Sequence, residues 1–262
     1  MAIEAIIFDM DDTLVVEVAS AEAAFVAAYK RLPVKSGVAR KDFISTVRKK
    51  ARELWYEFSA HDYCAAIGIS SWEGLWSRFG GDNPKMKTLR KWAPFYQRQS
   101  WANALSEFDI YDESLPQLLS ETFQDHRRQL HVVYSDVEEV LKQLQQSYKL
   151  ALVTNGSSDL QREKLEGSRL GRYFDIVLIS GDIGIRKPDP RIFSTVIDRL
   201  GVSAEMAVMV GNSLESDIAG AQQVGIKTVW LNRDGKKKDD SVQADHEIAS
   251  LSKLQAMLNN ME

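Results

Sequence analysis

Ala5-Ile6-Ile7-Phe8-Asp9-Met10-Asp11-Asp12-Thr13-Leu14 decides how the rest of the chain is read. An apolar run of β-branched and aromatic residues stops in three acids within four positions. The run reads as a buried parallel strand. A buried strand does not end in a carboxylate cluster unless something offsets the charge. Asp9 and Asp11 are two residues apart, so on extended chain their side chains point the same way. That spacing fits a metal or acid–base site at the strand's C-terminal end. It also fits a plain acidic turn, with Asp12-Thr13 capping the next segment.

Downstream the pattern becomes helical. Residues 18–32, 41–60 and 115–130 have helical spacing, with Phe43, Val47, Leu54 and Trp55 on one face. Five of the six tryptophans lie between Trp55 and Trp101. Gly68, Gly74, Gly80-Gly81 and Pro84 break that region into short helices. Residues 15–134 hold no convincing run of strands and read as a helical insert with an aromatic core. Trp72, Trp76 and Tyr96 are its candidates for facing a substrate, and Cys64 reads as a small core residue.

From Asp136 the grammar is α/β. Apolar strands at 149–156, 175–180, 206–211 and 227–232 alternate with helices at 137–146, 158–166, 191–200 and 217–224, and a helical tail covers 248–258. The alternation predicts a Rossmann-like, doubly wound parallel sheet. Its first strand is separated from the second by the insert. The expected organisation is an α/β catalytic core of residues 1–15 plus 135–262 and a helical cap of residues 16–134.

The length of 262 residues suffices for a large core. With 44% hydrophobic and 27% charged residues, the composition is that of a soluble globular protein. Net charge is −4, and the one basic run, Lys236-Lys237-Lys238, sits beside Asp234, Asp239 and Asp240. It reads as a solvated loop, and nucleic acid is not an expected partner. A single cysteine excludes an internal disulfide. The N-terminus has no signal-peptide pattern. No apolar stretch approaches the roughly 20 residues that span a bilayer. A cytoplasmic protein without membrane contact is expected, as monomer or homodimer.

In open α/β sheets ligands collect at the C-terminal ends of the strands. Those ends carry Asp9 and Asp11, then Thr154-Asn155-Gly156, then the approach to Lys187-Pro188, then Gly211-Asn212 with Asp217 beyond. Acids able to hold Mg²⁺ beside a lysine and a threonine suit a phosphoryl group: cations neutralise it, while hydroxyl and N–H groups orient it.

In this arrangement the sequence resembles the haloacid dehalogenase superfamily, in its phosphatase branch with a C1-type helical cap. Asp9-Met10-Asp11-Asp12-Thr13 resembles the family's D-x-D-x-T motif. Thr154, Lys187-Pro188 and Gly211-Asn212-Ser213-Leu214-Glu215-Ser216-Asp217 resemble the second, third and fourth motifs, in family order. The resemblance implies a Mg²⁺-dependent phosphomonoesterase acting on a small phosphorylated metabolite through a phospho-aspartate. It implies that Asp9 is the nucleophile, Asp11 the general acid and then base, and Lys187 the catalytic cation. Thr154 and Asn155, with Lys187, would bind the phosphoryl group. Asp9, Asp11 (through its carbonyl), Asn212 and Asp217 would hold the metal. Asn212 departs from the family's usual Asp; its amide oxygen still coordinates, with one negative charge fewer. Asp12 is expected to be a turn residue or a neighbour behind the site rather than a ligand.

Residues 154–175 resemble the subgroup of nucleotide 5′-monophosphatases and N-acylneuraminate-9-phosphatase. Trp72-Glu73-Gly74-Leu75-Trp76 resembles bacterial phosphoserine phosphatase-like proteins. Phosphoserine, a nucleoside monophosphate or a sugar phosphate is the expected substrate class. A 2-haloacid dehalogenase, a phosphomutase or a non-catalytic binding protein are the alternatives. The dehalogenases lack the second acid of the first motif, so Asp11 argues against that chemistry.

Overall fold

A computed structural model describes residues 2–81, 83–237 and 241–260. Lys238, Asp239 and Asp240 of the charged loop lie outside the described residues. In chain order, β1 (Ala5–Phe8) leads to α1 (Glu17–Tyr29), α2 (Arg40–Glu57), α3 (His61–Ile67), α4 (Ser71–Gly74), α5 (Pro84–Ser106) and α6 (Leu115–Gln129). Then come α7 (Val137–Leu144), β2 (Lys149–Thr154), α8 (Ser158–Ser168), β3 (Ile176–Ile179), α9 (Ser180–Ile183) and α10 (Pro190–Leu200). The chain finishes with β4 (Ala207–Gly211), α11 (Ala219–Gln222), β5 (Lys227–Leu231), β6 (His246–Ile248) and α12 (Leu254–Asn259). Two compact units result. An α/β unit takes residues up to Val16, Val132–Asn155 and those from Ser168 on; a helical unit takes Glu17–His131 and Gly156–Gly167.

The α/β unit is built on a six-stranded sheet of order β3-β2-β1-β4-β5-β6, parallel throughout. β1 lies at its centre and all four of its residues are fully buried. Both faces of such a strand are covered, which is why it reads as a continuous apolar run. Ala5 and Ile7 join Ala151, Val153, Ala207 and Met209 in one cluster against Ile192, Phe193 and Val196 of α10. Phe8 pairs with Leu152 on one side and Val210 on the other. The C-terminal ends of β1, β2 and β4 thus lie side by side, where the strand order reverses and α/β sheets bind ligands.

The sheet has a strand the sequence did not show. β6 covers only three residues, within a stretch read as loop and the start of a tail helix. Its neighbour Asp245 accepts from the Thr228 N–H (2.8 Å) and hydroxyl (2.7 Å), and the Asn232 N–H donates to the Ile248 carbonyl (2.8 Å). These long-range bonds make it a strand, since three residues have no periodicity to detect. The tail helix shortens to α12, after a 3₁₀ turn at Leu251–Lys253.

The helical unit, all helical among its described residues, packs around an aromatic core. Phe43, Val47, Ala51 and Trp55 of α2 are buried along one stripe. Phe25 meets Phe123 at 4.5 Å between centroids, and Trp92 stacks on Phe58 at 4.0 Å. Tyr96 belongs to this core: it is fully buried, and its hydroxyl donates to the Ser71 carbonyl (2.5 Å) and lies 3.2 Å from that of Ala51. Trp76 is also buried, while Trp72 is half-buried. Burial raises the Cys64 thiol to about 12. The sequence assigned residues 156–167 to the core domain, yet Leu160 of α8 packs in the aromatic cluster.

The helical unit also buries charge. The Arg127 guanidinium donates to Glu17 Oε1 (2.5 Å), Lys164 Nζ lies 3.2 Å from Glu17 Oε2 and 4.0 Å from Glu73, and Arg127 sits over the Trp76 ring. Burial acts to raise the Glu17 carboxyl, but Lys164 and Arg127 together hold it below its ordinary value. Two acids thus face two bases.

Candidate active site

The turn after β1 closes on one carbonyl. The N–H groups of Thr13, Leu14 and Val15 all approach the Met10 oxygen, and the Asp12 N–H donates to the Val15 carbonyl. Asp12 takes φ 56°, a left-handed conformation that Asp tolerates better than most side chains. The turn role expected of Asp12 is the one it has. Asp11 beside it is half-buried, with its backbone bridged to Val15.

This turn folds Thr13 back under Asp9. The Thr13 hydroxyl donates to Asp9 Oδ2 (2.9 Å) and also lies 3.4 Å from Asn212 Oδ1; the Asn212 N–H donates to the Thr13 oxygen (3.2 Å). Thr13, quoted in the motif but given no role from sequence, thereby links the ends of β1 and β4. On the other side of Asp9 stands Lys187, whose ammonium donates to Asp9 Oδ1 (2.6 Å) and reaches Asp217 Oδ1 (2.7 Å). All three side chains are almost completely buried. Burial pushes the Asp9 carboxyl above its ordinary value despite the Lys187 ammonium, and the Asp217 carboxylate adds to the rise. Burial alone would lower the Lys187 ammonium, but Asp217 and Asp9 hold it above its ordinary value. Two acids share one base here, leaving the cluster one negative charge in excess.

Backbone features fix these groups. The Asn155 carboxamide accepts from the Lys187 N–H (2.9 Å) and donates to the Lys187 carbonyl (3.1 Å), clamping both peptide groups of that residue. Expected to bind phosphate, Asn155 thus uses its side chain on the main chain of Lys187. Thr154, which ends β2, is buried. The Ser213 N–H donates to Asp217 Oδ2 (3.0 Å), and Trp230 Nε1 donates to the Asn212 carbonyl (3.1 Å). Gly211 has no alternative: a Cβ there would stand 2.3 Å from Asp217 Oδ2. A Cβ on Gly220 would meet the Pro188 backbone at 2.8 and 2.9 Å, so α11 needs glycine to lie against the Lys187-Pro188 segment.

The structure therefore brings Asp9, Lys187, Asn212 and Asp217 together and adds Thr13, with Asn155 behind Lys187. Asp11 shares the β1 turn, and Thr154 ends the neighbouring strand. Sequence reasoning missed the clamp by Asn155, whose partner is 32 residues away. The Asp9, Asn212 and Asp217 side chains offer an all-oxygen donor set of the kind Mg²⁺ prefers. With the cluster one negative charge in excess and Asp9 pushed upward, these residues fit a hard cation.

Comparison with known proteins identifies the family. The family model for haloacid dehalogenase-like hydrolases matches residues 3–225. A phosphoserine phosphatase of Thermus thermophilus is 34% identical over 95% of this chain and 96% of its own. An N-acylneuraminate-9-phosphatase of Mus musculus is 38% identical over 52% of this chain and 56% of its own. The magnesium-bound structure of the HAD-hydrolase YfnB of Bacillus subtilis shares the fold, with a TM-score of 0.68 at 24% identity, over 99% of this chain and 100% of its own. A 2-haloacid dehalogenase of Pseudomonas syringae gives 0.64 at 27%, over 99% and 100%. The chain belongs to the haloacid dehalogenase-like hydrolase family, in its phosphatase branch, and is an enzyme of the class that hydrolyses phosphoric monoesters.

Proposed function

We propose that this protein is a Mg²⁺-dependent phosphomonoesterase that cleaves a small phosphorylated metabolite through a phospho-aspartate on Asp9. The observation that carries this reading is the buried Asp9 carboxylate, held between the Lys187 ammonium and the Thr13 hydroxyl at the end of the central strand, with a second acid two residues on. An Asp9 oxygen attacks phosphorus, forming a new P–O bond as the bond to the leaving alkoxide breaks. Asp11 gives its proton to that alkoxide. The Asp11 carboxylate then takes a proton from water, which attacks phosphorus and frees Asp9 and inorganic phosphate. Splitting the displacement in this way suits a carboxylate nucleophile, and the two acids divide the work between them.

Lys187 neutralises charge on Asp9 and on the phosphoryl oxygens, while Thr154 and the Asn155 segment orient the latter. Asp9, the Asp11 carbonyl, Asn212 and Asp217 would hold Mg²⁺. When bound, the ion supplies charge neutralisation for the transferring phosphoryl group. The α/β unit serves as the catalytic core, and the helical unit, residues 17–131 with 156–167, serves as the cap that selects the leaving group. We place the protein in the cytoplasm, in keeping with its lone buried Cys64; no helix among the described residues is long and apolar enough to cross a membrane. The relatives direct the substrate search first to phosphoserine, then to sugar phosphates and nucleoside monophosphates.

The test is release of phosphate from p-nitrophenyl phosphate, which should require Mg²⁺ and vanish in Asp9→Asn. The fold shared with a 2-haloacid dehalogenase gives a second reading, which Asp11 opposes. Metal-independent halide release from 2-chloropropionate, without phosphate release, would establish that reading instead.

A further inference from the structure

We infer that the helical unit carries a binding pocket for a small organic anion that contains a flat ring, built on one flank of α2. The inward stripe of α2 buries Val47, Ala51 and Trp55. Arg48, Arg52 and Tyr56 recur every four residues, so they share one helix face. That flank borders a cavity of about 470 Å³, within the size range of small-molecule sites. Trp55, Ile69 and Leu75 supply apolar surface, and Trp72 with the largely exposed Tyr56 supplies flat aromatic faces.

The charge lining the cavity has one sign. Arg48 and Arg52 line it, and among the described residues no carboxylate does. Arg48 is held in place by rings: its guanidinium carbon lies 4.8 Å from the Phe25 centroid and 5.9 Å from that of Trp72. One terminal nitrogen meets Glu22 at 3.1 Å, while Nε is buried with no hydrogen-bond partner. Nε is closed off from the cavity, but the side chain as a whole is 39% exposed, so an anion in the cavity can approach it. Arg52 makes no ion pair with any described residue. Past Arg48 and Arg52 the depression continues along α2, where Arg40, Lys41 and Lys49 outnumber Glu22 and Glu53. In a chain of net charge −4 this is a local positive field that concentrates anions.

The ligand that fits carries a carboxylate or phosphoryl group for the guanidinium forks and a planar ring for Trp72 and Tyr56. Such a group could be the unreactive end of the enzyme's own substrate or a separate small molecule. Binding is therefore measured without turnover, by titration calorimetry of the full-length protein with isophthalate, which has two carboxylates on one ring and no phosphate. Stoichiometric binding is expected, weakened about tenfold in Arg52→Gln, the loss of one charge-assisted pair, and weakened also in Trp72→Leu. Arg48→Gln should abolish it, but Arg48 packs on Phe25, so the exposed Arg52 is the cleaner test of binding.

Competitive inhibition of p-nitrophenyl phosphate hydrolysis by isophthalate would support the pocket and assign it to the substrate. Binding without competition, still sensitive to Arg52, would support it as a site for a separate anion. No heat of binding, or equal affinity in the wild type, Arg52→Gln and Trp72→Leu, would overturn the inference and leave the phosphatase reading untouched.

Discussion

Each unit of this protein buries a cluster of charges, and the two clusters are composed differently. In the helical unit Glu17 and Glu73 face Arg127 and Lys164, two charges against two. In the α/β unit Asp9 and Asp217 share the single ammonium of Lys187. The balanced cluster holds Glu17 below its ordinary carboxylate value, while the unbalanced one leaves Asp9 above it. Desolvation penalises every buried charge, so a cluster is settled only when its charges cancel. The first cluster is complete within the chain and ties α1, α6 and α8 together. The second has a residual negative charge that a cation can satisfy, which fits the metal proposed for it.

This contrast can be broken in several ways. The largest effect falls on Asp9→Asn, which removes the proposed nucleophile and should cost at least about 10⁴-fold in turnover. It also removes the surplus charge and leaves Lys187 matched with Asp217. The unfolding midpoint of the metal-free variant should therefore hold or rise, and a marked fall would show that the α/β cluster was built for stability. Glu17→Gln should do the reverse. Stripping one acid from the balanced cluster leaves a buried cation unmatched, at a cost of about 3–5 kcal/mol in urea unfolding. Restoring the balance with Glu17→Gln plus Lys164→Met should recover part of that loss.

The same cluster predicts an acid limb. The folded-state value of Glu17 lies below its unfolded value, so its contribution to stability is present above the ordinary glutamate value of 4.5. That contribution is lost as pH falls from there through the folded value. Wild type should lose stability relative to Glu17→Gln across this window, and parallel pH curves would contradict the assignment.

Asn155→Ala frees both peptide groups of Lys187. Turnover should fall about 10²-fold, as expected for a misplaced catalytic group. Because Asn155 acts through Lys187, Asn155→Asp should restore less than half of it: a carboxylate accepts from the Lys187 N–H but cannot donate to its carbonyl. Smallest is Asn212→Asp, which adds a carboxylate to the proposed metal-binding set. The Mg²⁺ concentration for half-maximal activity should fall about tenfold; an unchanged requirement would take Asn212 out of that set.

Much of the fold was legible in advance because its signals are local. Buried parallel strands read as apolar runs, and Asp9, Thr154 and Gly211 stood out as polar or small residues where those runs stop. Lys187 was found by its place in the order of motifs. β6 was invisible because His246-Glu247-Ile248 has no pattern of its own and exists through Asp245 and Asn232. Residues 156–167 misled because α8 has the spacing of an ordinary α/β crossover helix, while Leu160 and Lys164 find their partners in the helical unit.

The sequence by itself determined the parallel sheet, the position of the helical insert and the acids at the end of β1. Periodicity and strand-end chemistry are written in neighbouring residues. Only the tertiary structure decided how the charges are shared: Lys187 between Asp9 and Asp217, Thr13 between Asp9 and Asn212, Asn155 behind Lys187, and Glu17 with Arg127 across 110 residues. Charge balance in a low-dielectric interior depends on which groups meet in space, and no local pattern along the chain encodes those meetings.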